Sequence, residues 1–119
     1  MKIAISSLDC GLDSKIDPRF GRAKFIVCYD SNTTDIECID NSKNYNAVQG
    51  AGIKTAELVV QKNCDIVISG YLGPKAFNAL NNANVKCYQK DSGTIAEAIS
   101  EYEAGALSES TQANAKGHW

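Results

Sequence analysis

The stretch Asp65-Ile66-Val67-Ile68-Ser69-Gly70-Tyr71-Leu72-Gly73-Pro74-Lys75 decides the fold class. Its first five residues form a short apolar run bounded by Asp and Gly, the pattern of a strand buried on both faces. Residues 70–73 make a tight loop, and Pro74 suits the first position of a helix over residues 75–82, where a missing N–H costs nothing. Strand, glycine loop and proline-started helix in that order predict one turn of an alternating α/β unit.

Reading outward, residues 51–62 have helical periodicity, with Ile53, Ala56, Val59 and Val60 near one face and Asn63 as a stop. Residues 85–88 read as a further strand. Gly93-Thr94 then opens a helix to about residue 102 that carries Ile95, Ala98 and Ile99. On the amino-terminal side, residues 2–6 alternate around Ile3 and Ile5, and residues 24–30 are β-branched and aromatic. Residues 35–40 follow after the short turn 31–34, which implies an antiparallel hairpin. The loop 7–22 and the connection 41–49 are polar. The order β-β-β-α-β-α-β-α predicts a five-stranded mixed sheet ordered 3-2-1-4-5 and flanked by helices, a three-layer, ribonuclease-H-like α/β arrangement. Residues 1–104 form the domain, and the Ser-, Ala- and Asn-rich residues 105–119 are expected as a loosely held tail.

At 119 residues the chain has the size of one domain, and its 44% hydrophobic and 22% charged residues are those of a soluble protein. A net charge of −2 gives no electrostatic footprint for nucleic acid. No apolar run approaches the roughly 18 residues that cross a bilayer, and the start of the chain lacks a signal-peptide pattern. A cytoplasmic location is expected. The five cysteines are odd in number and widely spaced, with no Cys-x-x-Cys, which argues against a zinc ribbon, a redox pair or a disulfide framework. Cys28, Cys38, Cys64 and Cys87 are expected as buried thiols, whereas Cys10 falls in a polar loop.

Ligands of open α/β sheets bind beyond the carboxyl ends of strands at a switch point, here between the first and fourth strands. The loops 7–22 and 70–75 meet there. Gly70 and Gly73 allow close backbone approach, and the helix after Pro74 offers unpaired N–H groups to an anion. Thr94 adds a cap and donor, and Arg19, Arg22 and Lys75 supply positive charge. The alternative is structural: a Gly-x-x-Gly-Pro turn, with Phe20 plugging the core and an arginine paired with Asp13 or Asp17. Strand 1 carries no carboxylate for a two-metal site, and there is no P-loop. Cys10 with His118, the single histidine, is a poor catalytic pair so near the chain end. A non-enzymatic role is expected.

Leu12-Asp13-Ser14 with Asp17-Pro18-Arg19-Phe20-Gly21-Arg22-Ala23, Gly50-Ala51-Gly52, Ile68-Ser69-Gly70 with Gly73-Pro74-Lys75-Ala76-Phe77, Gly93-Thr94 and Gly117-His118-Trp119 run in register along the chain. In these segments it resembles the dinitrogenase iron–molybdenum cofactor biosynthesis family, which includes NifX-like and NafY-like proteins. The resemblance implies a nitrogen fixation-related carrier that assembles, stores or transfers an iron–sulfur or molybdenum-containing sulfide cluster. Its implied partners are cluster-assembly proteins, including a nucleotide-binding ATPase. Soft metals prefer thiolate and imidazole, which makes Cys10 and then His118 the candidate direct ligands. The alternative, from the residues, is a metal-free regulatory module that uses the same crevice for a phosphate-bearing small molecule or a partner peptide.

Overall fold

A computed structural model describes residues 1–47 and 49–113. In chain order the elements are β1 (Lys2–Ser7), β2 (Phe25–Asp30), β3 (Ile36–Asp40), α1 (Ser42–Tyr45), α2 (Ala51–Gln61), β4 (Ile66–Ser69), α3 (Pro74–Asn82), β5 (Lys86–Gln89) and α4 (Ile95–Glu103). The five strands form one sheet ordered β3-β2-β1-β4-β5, as the element order predicts. β1 pairs antiparallel with β2, and β2 with β3, while β1–β4 and β4–β5 are parallel.

The period-2 alternation of the strands divides the interior into two cores. Ile3, Ile5, Val27, Ile66 and Ile68 face α4 and pack on its Ile95, Ala98 and Ile99. Ala4, Ile26, Cys28, Val67 and Cys87 face the other way, onto α2 and α3. Every residue of β4 is buried, as expected of a strand covered on both sides. Asn63 and Asn84 stop α2 and α3 in left-handed conformations, a geometry asparagine tolerates. No helix among the described residues is long and apolar enough to cross a membrane.

α4 begins with a reciprocal capping box: Thr94 Oγ1 accepts the Glu97 N–H at 3.2 Å, and Glu97 Oε1 accepts the Thr94 N–H at 2.8 Å. Thr94→Ala is expected to cost about 1 kcal/mol in denaturant unfolding. The Thr94 backbone N–H also holds the Glu97 carboxyl below its usual range. A depressed folded-state pKa stabilises above the unfolded value, and that stabilisation is lost as pH falls through the folded one. The deficit of Glu97→Gln in thermal unfolding should therefore be largest near neutrality and close up in acid.

Three expectations need correction. The connection 41–49 contains α1, because Asp40 Oδ1 accepts the Ser42 N–H at 2.7 Å and the Asn41 carbonyl accepts from Asn44 and Tyr45. Asn41 itself is buried, donating from Nδ2 to the Ala23 carbonyl at 2.9 Å. The tail is not loose from residue 105. Glu109 bridges Tyr88, Gln89 N–H donates to Ser108 O at 3.1 Å, and Ser110 N–H to Cys87 O at 2.7 Å. That pairing covers the outer edge of β5, a sheet edge that would otherwise be open.

The third correction concerns the cysteines. Cys38 is not a buried thiol but is disulfide-bonded to Cys10, with 5.5 Å between their Cα atoms. β3 is the edge strand, and Cys38 is only partly buried there, packed at the margin of the α4-side core, so the loop after β1 can fold back to it. Cys28, Cys64 and Cys87 are buried free thiols, as expected.

Candidate functional site at the carboxyl edge of β1 and β4

The loop after β1 straddles the edge of the sheet. Its first limb lies on the α4 side, where Leu8 N–H donates to Lys15 O at 3.0 Å and Ile16 enters the α4-side core. Its second limb crosses to the α2/α3 side, where Phe20 enters the other core beside Leu72, Ala76 and Phe77. Phe20 thus plugs the core, as the structural reading of this loop proposes.

Hydroxyl groups fix the crossing point. Ser6 Oγ donates to Asp17 O at 2.7 Å and lies 2.7 Å from Ser69 Oγ, joining the ends of β1 and β4 to the loop. Both serines are buried. The two expected loops do meet here: Tyr71 N–H donates to Pro18 O at 2.7 Å, Phe20 N–H donates to Tyr71 O at 3.2 Å, and Arg19 bridges Tyr71. Gly70 makes the approach feasible. A Cβ there would lie 2.7 Å from Pro18 O and 2.8 Å from Asp91 Cβ. Gly70→Ala is therefore expected to cost about 1–3 kcal/mol by overpacking. A loss below the error of a urea melt would contradict this close approach.

The second limb lies beside the loop after β4 through the Arg19–Tyr71 bridge, and Gly73 and Lys75 follow that loop at the start of α3. Gly73 is the N-cap of α3 and Pro74 its first residue, with no side-chain cap. The Lys75 and Ala76 amides find no acceptor among the described residues. Arg19 is 46% exposed, its Nε 3.6 Å from Asp17 Oδ1. Asp17 is buried, Oδ1 accepts the Arg19 N–H at 3.0 Å, and Oδ2 has no hydrogen-bond partner among the described residues. Asp17 enters the sequence reading only as a structural partner for an arginine, and it does pair with Arg19. Ser6 and Ser69 are not singled out there, although a serine closing each of two apolar strands is the signal.

The other candidates separate from this group. Arg22 Nη1 donates to Tyr45 O at 2.9 Å and Ala47 O at 3.2 Å, so it clamps the end of α1 instead of joining the rim. Thr94 has its N–H bonded to Glu97. The next amides of α4, Ile95 and Ala96, donate to Ser14 O at 2.9 Å and Leu12 O at 2.8 Å, so the protein itself fills that helix start. Cys10 lines a cavity of about 550 Å³ with Leu8, Asp9, Asp13, Ser14 and Lys15. In the disulfide it offers no thiolate, and two acidic side chains against one lysine make this cavity ill-suited to an anion. No group of three or more His, Cys, Asp or Glu side chains among the described residues is placed to hold a metal ion. His118 lies outside the described residues.

Fold and site together define a small α/β domain with its candidate site at the switch point of a mixed sheet. The family model described as "Dinitrogenase iron-molybdenum cofactor" matches residues 1–105, and the chain belongs to that family. It is similar to the orange protein of Desulfovibrio gigas, solved in its apo form, with a TM-score of 0.93 and 34% identity over 96% of each chain. A Thermotoga protein of the DUF35 family, solved by NMR, aligns with a TM-score of 0.85 and 32% identity over 98% of each chain. An uncharacterised protein of Methanocaldococcus jannaschii is 23% identical over 111 residues, 90% of this chain and 93% of that one.

Proposed function

We propose that this protein is a non-enzymatic, cytoplasmic carrier that takes an iron- or molybdenum-containing sulfide cluster as cargo for metallocofactor assembly. The observation carrying this reading is the start of α3, whose Lys75 and Ala76 amides find no acceptor among the described residues and lie beyond the end of β4, next to the loop that bears Arg19. Helix-start amides, a helix dipole and two cationic side chains suit an anion of diffuse charge. Cargo held by charge and by hydrogen bonds to sulfide, without thiolate ligands, can be handed on without breaking a metal–protein bond. Family membership and the sheet order, that of a ribonuclease-H-like domain, support the same reading. The receiving partners are cluster-assembly proteins, including a nucleotide-binding ATPase.

The test is anaerobic uptake of tetrathiomolybdate, alone and with added iron or copper, followed by desalting, metal analysis and a visible spectrum. Coloured protein with stoichiometric metal is expected. Lys75→Ala should weaken uptake about tenfold, as loss of one charge-assisted contact worth about 1.4 kcal/mol. Wild-type protein that stays colourless and metal-free would sink the carrier reading. The same amides also suit a phosphate-bearing small molecule. Colourless protein that binds such a molecule in a Lys75-dependent way would identify a metal-free regulatory module instead.

A further inference from the structure

The carrier reading makes no use of a second feature at the other end of the sheet. Cys28 of β2 faces Cys64, which lies between α2 and β4, with 3.5 Å between the two sulfurs. Both are nearly inaccessible, at 2% and 5% exposure. We propose that Cys28 and Cys64 form a binding site for a single soft, closed-shell monovalent cation of the copper(I) class.

Geometry permits this with side-chain movement alone. Metal–thiolate bonds of about 2.3 Å set two sulfurs about 3.8–4.0 Å apart where a third ligand is present, and about 4.6 Å apart where the two thiolates bind in line. From 3.5 Å the pair must open by a few tenths of an ångström in the first case and by about 1 Å in the second, both within reach of side-chain rotation. A cavity of about 230 Å³ reaches Cys28 from outside, between Lys2, Asp30, Asp35 and Glu37, and provides the access route. It also leaves room for a third, exogenous soft ligand.

Charge selects the ion. Binding exchanges two thiol protons for one cation, 2 RSH + M⁺ → [M(SR)₂]⁻ + 2 H⁺, which leaves one negative charge on the site. Two ammonium groups stand over it: Lys2 Nζ donates to Lys62 O at 2.6 Å, and Lys62 Nζ pairs with Glu37 Oε2 at 2.8 Å. Lys2 favours the thiolate form of both cysteines, while Glu37 opposes it at both and Asp65 at Cys64. Hydrogen bonding between the sulfurs pushes the Cys28 thiol up and the Cys64 thiol down, so the pair holds its first proton at Cys28. Zinc prefers four ligands, and no third metal-ligating side chain joins the pair among the described residues. A soft monovalent ion is satisfied by fewer ligands and prefers sulfur. Cys87 is the internal control. It is equally buried but lacks a thiol partner, and burial pushes it up to about 12.

The experiment is an anaerobic titration of the whole chain with silver(I), a redox-inert probe of this class, read by native mass spectrometry and by thiol alkylation. One ion should be gained for two protons lost, and a brief alkylation in denaturant, which opens the three buried free thiols (Cys28, Cys64 and Cys87), should label one of them instead of three. This readout uses wild-type protein, so it stands even where a core variant fails to fold. Cys87→Ala should bind as wild type does. Cys28→Ser should lose more than the roughly 10–100-fold that loss of an outer-shell partner costs. Three thiols still reactive in the presence of silver(I), or undiminished binding by a folded Cys28→Ser variant, would overturn the proposal. So would a pair that takes no ion and closes into a disulfide with oxidised glutathione, since that pair would be a redox couple.

Discussion

Phe20→Ala is expected to lower the unfolding free energy by about 3–5 kcal/mol, the range for truncating a buried aromatic ring. Against a total of about 5–15 kcal/mol for a domain, that is a large share of the whole. The ring is buried among Leu72, Ala76, Phe77 and Leu80, residues of α3 and of the loop that leads into it. Deleting it therefore does more than open a hole. It removes the apolar anchor of the limb bearing Arg19, while the Phe20 N–H and Tyr71 N–H bonds keep only the backbone in place. Urea unfolding should show a lower midpoint with an unchanged slope, the signature of lost stability without a change in the unfolded state. Phe20→Leu should recover most of the stability. Under the carrier reading, Phe20→Ala should also weaken cluster uptake at temperatures where the protein stays folded, because the cationic limb is no longer pinned beside α3. A loss under about 1 kcal/mol would mean that the core closes over the gap, and that this ring does not position the loop.

What the chain shows in advance, and what it conceals, divides along the range of the interactions involved. The alternation around Ile3 and Ile5, the buried run ending at Ser69 and the proline at the start of α3 are local signals, and each became the element it predicts. The sheet order follows from those elements and from the handedness of crossovers, so it too was legible. Arg19 and Arg22 show where local signals end. Three residues apart, they read as one basic rim, yet the chain turns between them, and Ala23 N–H donates to Phe20 O at 3.4 Å. One arginine stays at the sheet edge while the other reaches α1. Thr94-Ile95-Ala96-Glu97 is a capping box by its spacing, which already implies that its donors are bonded internally. Its further closure by the Leu12 and Ser14 carbonyls depends on where a loop some eighty residues earlier in the chain comes to rest, as counted from the sequence. The pairing of residues 108–110 with β5 is concealed for the same reason, since Ser-Ala-Asn composition states only a weak preference for loops.

Reduction of Cys10–Cys38 should produce the second large effect, and a more local one. The two cysteines are 28 residues apart, and a cross-link closing such a loop is worth about 3.6 kcal/mol in the chain-entropy account. Thermal unfolding of the wild type should shift down in a thiol reductant, while Cys10→Ser with Cys38→Ser should melt like the reduced protein and ignore the reductant. Hydrogen exchange should rise first in β3, an exposed edge strand, and in the limb 8–15, whose carbonyls hold the start of α4. In a reducing compartment the pair stands as two thiols, so this state bears directly on the proposed function. The cavity beside Cys10 carries Asp9 and Asp13 against Lys15, a balance that repels an anionic cluster. Uptake at the Arg19–Lys75 side should therefore proceed equally in oxidised and reduced protein, and survive Cys10→Ser. Uptake that appears only after reduction and vanishes in Cys10→Ser would restore Cys10 as a ligand. The anion site would then have to include the α4 face, with the disulfide serving to close it.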